Sequence, residues 1–91
     1  MDLREFTARL PTGGVASFAE RVGVTRFYLS QLAQRQNGRQ PAPALCVLIE
    51  RESNFDVRRW DLRPGDWHLI WPELIKQRGA PPQPVTRHVE A

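Results

Sequence analysis

The sequence predicts an all-α domain of five or so short helices followed by a disordered C-terminal tail. Three observations predict it. Apolar residues recur at helical spacing from Leu3 to Trp71, and nothing alternates with period two for long enough to build a sheet. The last stretch, "GAPPQPVTRHVEA", is rich in proline and has no periodicity. At 91 residues the chain holds one small domain at most, near the size where a single core is only marginally stabilising. Residues 1–78 are expected to form that domain and residues 79–91 the tail.

The first helix is predicted in "MDLREFTARL". Asp2 can cap it, Glu5 stands where a capping box needs it, and Leu3, Phe6 and Leu10 follow helical spacing. "PTGG" ends it. A second helix runs from Val15 to Val22 with Phe18, Ala19 and Val22 on its buried side, and Gly23 breaks it by taking positive φ. Thr25 can cap a third helix, reaching to about Arg35, whose buried stripe is Leu29 and Leu32. "QNGRQPAP" reads as a loop. A fourth helix starts near Pro43, turns Leu45, Leu48 and Ile49 inward and ends before "SNFD". A short helical turn is expected near Val57 to Asp61 and a last helix from Pro64 to about Trp71, stopped by Pro72. All three tryptophans lie in this part, residues 57–74, with Trp67 and Trp71 one turn apart on one face.

Composition narrows the function classes. With 41% hydrophobic and 25% charged residues the chain is an ordinary globular sequence. No apolar run approaches the roughly 20 residues that span a bilayer, and the N-terminal stretch has acidic residues and no apolar core of a signal peptide. A cytoplasmic, nucleoid-associated location and no membrane partner are therefore expected. The net charge is only +3, yet Arg21, Arg26, Arg35 and Arg39 lie in a window to Ile49 that contains no acidic residue. Lys76 is the sole lysine, and arginine is the better fork for phosphate and for guanine edges.

The stretch "VASFAERVGVTRFYLSQLAQ", residues 15–34, carries the sharpest signal. Two short helices meeting through a tight turn need a glycine at the turn, a small residue for close approach, an apolar corner and a polar outer face. Gly23, Ala19 and the set Phe18, Val22, Val24, Leu29 and Leu32 meet the first three needs. The fourth is met by Thr25, Arg26, Phe27, Ser30, Gln31 and Gln34, the expected base-reading face of a helix-turn-helix lying in the major groove of double-stranded DNA. Arg26 suits guanine O6 and N7, Gln31 suits adenine, and Phe27 can pack on a thymine methyl. Backbone N–H groups at Gly14 and Val15 are expected to hold a phosphate, and Arg35, Asn37 and Arg39 complete the expected phosphate contacts.

The spacing matches the helix-turn-helix of the Cro and lambda-repressor type. The wider stretch, "FAERVGVTRFYLSQL" with "RQPAPALCVLIERES" and "DLRPGDWHLIWPEL", resembles the YdaS/Cro-like family of phage and prophage regulators. The resemblance covers residues 13–74, and its DLRP and WPEL elements are more specific than the helix-turn-helix. It departs from the family at Val15, where a polar phosphate-contacting side chain is common, and in the aromatic pair Phe27 and Tyr28. It implies a lambda-repressor-like fold and a Cro-like repressor occupying an operator. Since one small reading helix covers few base pairs, two protomers on a pseudo-palindromic site are expected. Members of the family have also been labelled as candidate antitoxins, so the resemblance implies a second class of partner, a protein toxin bound by the tryptophan-rich part or the tail.

Other residues read less sharply. Cys46, in an apolar stretch without a second cysteine, reads as inert core. Tyr28 fits the core as well as the reading face. The tryptophans fit packing or a subunit interface better than a platform for single-stranded bases. His68 and His88 read as surface histidines, and Arg58 and Arg59 as either phosphate contacts or a solvated face. Asp61, Asp66 and Glu73 read as helix caps and borders. No phosphate loop, metal motif or nucleophile elbow is present, so neither catalysis nor a cofactor or metal is expected.

Overall fold

The structure, a computed structural model, describes residues 1–35 and 38–83. Among the described residues six α-helices follow in order: α1 Leu3–Ala8, α2 Gly14–Val22, α3 Arg26–Ala33, α4 Pro43–Glu52, α5 Arg59–Leu62 and α6 Trp67–Ile70. A 3-10 helix, Pro72–Lys76, follows them, and no strand occurs among the described residues. The fold is therefore all-α. Residues 84–91, most of the expected tail, lie outside the described residues.

Local chemistry explains most of the boundaries. Asp2 Oδ1 accepts from the Glu5 N–H at 2.8 Å, which caps α1. The reciprocal half of the expected capping box is missing because the Glu5 carboxylate accepts from Arg9 one turn on, at 2.7 Å. Gly14 opens α2 so close to the connection from α1 that a Cβ there would lie 3.0 Å from that of Leu10. Gly23 ends α2 with φ +81°; the Val24 N–H donates to the Ala19 carbonyl and the Gly23 N–H to that of Glu20, the paired bonds of a Schellman motif. Thr25 then caps α3, its hydroxyl accepting from the Tyr28 N–H at 3.0 Å. Pro43 is pre-set for the first turn of α4, where its missing N–H costs nothing.

The core draws on every helix. Leu3, Phe18, Val22, Leu29, Leu32, Cys46, Ile49, Val57, Trp60, Leu62, Trp67, Trp71 and Leu74 are buried in one cluster, with Ala19 at the α2–α3 corner. The Phe6 and Phe18 rings, 5.0 Å apart and tilted, tie α1 to α2.

The C-terminal half departs from expectation. The inward face of α4 centres on Cys46, Ile49 and the carboxylate of Glu50, while Leu45 and Leu48 are only half-buried. The helix expected from Pro64 contracts to the single turn of α6. The Arg63 guanidinium grips Asp66 with two nitrogens, at 3.0 and 2.9 Å, and this closes the intervening residues as a turn. α6 stops before Pro72, as expected, and Pro72 starts the 3-10 helix, which buries Leu74. His68, expected at the surface, is 7% exposed; its ring meets Trp67 edge-on and its Nδ1 has no hydrogen-bond partner among the described residues.

Candidate nucleic-acid interface

The turn between α2 and α3 fixes what faces outward. With Leu29 and Leu32 committed to the core, the opposite side of α3 presents Arg26, Phe27, Ser30 and Gln34 to solvent, with Thr25 exposed at its start. Phe27 is 73% exposed, an unusual position for a ring that size. Gln31, expected on the same face, is half-buried.

The start of α2 lies beside this face. Val15 shares one open depression with Arg26, Phe27 and Ser30, and a second with Leu29, Ser30, Ala33 and Gln34. The Val15 and Ala16 N–H groups, too early in the helix for an internal partner, find no acceptor among the described residues. Gly14, expected to offer its N–H, has already donated it to the Pro11 carbonyl at 2.8 Å. The free donors at this end of α2 are thus Val15 and the following residue.

The expected phosphate contacts separate in the fold. Arg39 is exposed and lies over the Tyr28 ring at 5.8 Å, which holds the loop cation against α3, and Tyr28 itself packs half-buried against the core. Arg35 follows α3 with φ +51°, and its Nη2 donates to the Asp61 carbonyl at 2.8 Å, so its head is turned to α5. Asn37 lies outside the described residues. Arg4 was not singled out by the sequence. It shares the second depression with Thr7 and Ala8 of α1, and with Val15, Ser30 and Gln34. Its spacing from Ala8, one turn on, was the available signal, since that stripe of α1 carries no carboxylate.

Three unpaired cations lie on or beside this face. Arg4, Arg26 and Arg39 form no ion pair among the described residues. Arg78 likewise has none, but the arginines packed against the C-terminal half of the core are occupied. Glu50, 5% exposed, accepts from Arg58 Nε at 3.1 Å and from Arg59 Nε at 3.0 Å. Arg58 also covers the Trp60 ring at 4.4 Å, and Arg59 the Trp71 ring at 5.2 Å. These two arginines are half-buried and engaged with Glu50 and the rings, so they are not a solvated face. The tryptophans beneath them, 9%, 1% and 8% exposed, offer no open ring to a base.

The acidic residues of this half serve the fold as expected of caps and borders. Asp61 Oδ2 accepts from the Arg58 N–H at 2.9 Å at the start of α5. The Arg63 guanidinium beside Asp66 holds its carboxyl below the usual carboxylate range, through their hydrogen bonds first and its charge second. Burial pushes the Cys46 thiol up to about 12, which leaves it protonated and unreactive. No helix among the described residues is long and apolar enough to cross a membrane.

No protein-family model matches the chain, and no curated protein matches it. The functional reading therefore rests on the residues themselves.

Proposed function

We propose that this protein is a sequence-specific DNA-binding regulator, a Cro-like repressor that reads its operator with α3 in the major groove through a helix-turn-helix of α2 and α3. The observation that carries this reading is the open face on which Arg26, Phe27 and Ser30 stand beside the start of α2. It joins an unpaired guanidinium to unpaired backbone donors, and the two suit different parts of a duplex. The N–H groups of Val15 and Ala16 suit a phosphate. Arg26 suits a guanine edge and Gln34 an adenine. Arg4 and Arg39 add positive charge on either side. The resemblance to YdaS/Cro-like regulators, carried by the same stretch and by the DLRP and WPEL elements, agrees with it.

The energies fit a dimer better than a monomer. Each bidentate base contact contributes about 1–3 kcal/mol of discrimination, and α3 is only 8 residues long. Two protomers on half-sites about one helical turn apart supply the remainder.

The test is selection of bound duplexes from random DNA, followed by titration of the selected duplex against an unrelated one at the same salt. A preference of about a thousandfold or more is expected, with two-fold symmetry in the selected sequence. Arg26→Ala should remove most of that preference without altering the melting temperature. Equal weak binding to both duplexes would overturn the reading and leave a protein partner, such as a toxin, as the function to pursue.

A further inference from the structure

The depression between Val15 and Phe27 has a shape and lining that say more than that a base is read there. Its walls are a half-buried valine from α2 and a ring 73% exposed on α3, with the Ser30 hydroxyl and the unpaired Arg26 at the edges. The side of it formed by Val15 and Phe27 is poor at holding a polar edge, because a carbonyl or amino group placed there loses water and gains no hydrogen bond from valine or phenylalanine, whereas the side formed by Ser30 and Arg26 can hydrogen-bond one. It is open, so it suits a group that projects into it from a larger surface.

Resting on the DNA reading above, we infer that this depression receives the C5-methyl group of a pyrimidine, and that Arg26 takes the guanine on the same or the next base pair. Of the four ordinary bases only thymine presents an apolar group in the major groove. Arg26 and Phe27 border the same depression, so a base edge seated against the Phe27 ring has the Arg26 guanidinium beside it. The recognised element is a 5-methylpyrimidine beside a guanine, met by thymine or by 5-methylcytosine. Val15, in place of a polar side chain, is then a specificity residue that supplies the second apolar wall.

The experiment uses the full-length chain and its selected duplex, with each thymine replaced in turn by uracil, which removes the methyl group and nothing else. One thymine per half-site, next to a guanine, should respond with about a fourfold loss of affinity, the size expected for one methyl group leaving an apolar contact. Cytosine at that position should bind more weakly than 5-methylcytosine. Phe27→Ala should bind the thymine and uracil duplexes equally, and should keep the wild-type melting temperature because the ring it removes is exposed. A selected duplex that is indifferent to uracil at every position overturns this inference alone, as does a thymine response that survives Phe27→Ala. Failure to select any duplex overturns the DNA reading and this inference with it.

Discussion

Arg58 and Arg59, against the tryptophans, and Arg4 and Arg26, beside the start of α2, carry the same guanidinium in opposite circumstances. The first two share the carboxylate of Glu50, whose side chain is 6% exposed, and lie over tryptophan rings. The second two have no acidic partner among the described residues and stand beside a helix face without carboxylates. What differs is what happens when the charge is removed. A guanidinium over a buried carboxylate holds the fold together, whereas an unpaired one at the surface is available to an external anion. Arginine content is therefore a poor guide to binding until the carboxylates have been placed.

The comparison is broken most directly at Glu50. Glu50→Ala would leave two partly buried guanidinium groups without their carboxylate, at a cost of about 3–5 kcal/mol for breaking a buried pair. A domain of this size has only about 5–15 kcal/mol in total. The variant should lose most of its cooperative thermal transition, while Arg26→Ala should stay within about 0.5 kcal/mol of the wild type in urea denaturation. Equal midpoints for the two variants would mean that the Glu50 cluster is not part of what stabilises the fold.

The α2–α3 corner was legible in the sequence because its rules are local. Gly23, Thr25, Ala19 and the Leu29–Leu32 stripe each act within a few residues of their own position, and Asp2 and Pro43 likewise announce the starts of α1 and α4. The Glu50 cluster was not legible. Nothing near Glu50 says that arginines from the next helix will close over it, and rotating the α4 face by one residue turns an apparent surface acid into a buried one. His68 was misread as well, since nothing in its sequence neighbourhood says that it will be buried with its ring edge-on to Trp67. On the candidate interface, the outward positions of Arg26, Phe27, Ser30 and Gln34 followed from the helix period alone. The tie from Arg35 to Asp61 and the approach of Arg4 to Ser30 join helices distant in sequence, and period carries no information about them.

Arg4 sharpens the comparison from the other side. If its charge serves an external phosphate, Arg4→Ala should weaken all duplexes by a similar factor and make the slope of log K against log salt shallower by about 0.9. The ratio between selected and unrelated duplexes should be unchanged, since phosphate contacts carry no direct sequence information. The melting temperature should also be unchanged. A normal salt slope in Arg4→Ala would confine the interface to α2, α3 and the loop after them.

The smallest expected effect lies at Arg63 and Asp66, a pair that belongs to neither extreme. Arg63 is tied to the fold through the Pro41 carbonyl at 2.8 Å as well as through Asp66, but the Asp66 side chain is 36% exposed and water screens much of the attraction. Its carboxyl is held below the usual range chiefly by the hydrogen bonds from Arg63. A carboxyl depressed in the folded state binds its proton more readily in the unfolded chain. The stability it contributes is therefore present above the ordinary carboxylate value of about 4 and is lost as the pH falls through the lower, folded-state value. Asp66→Asn should be slightly less stable than the wild type near neutrality, and the gap should close on acidification below about pH 4. A gap of constant size across that range would show that Asp66 acts through the shape of the turn before α6 and not through its charge. That result would move Arg63 towards the unpaired set, held in place by its bond to Pro41 alone.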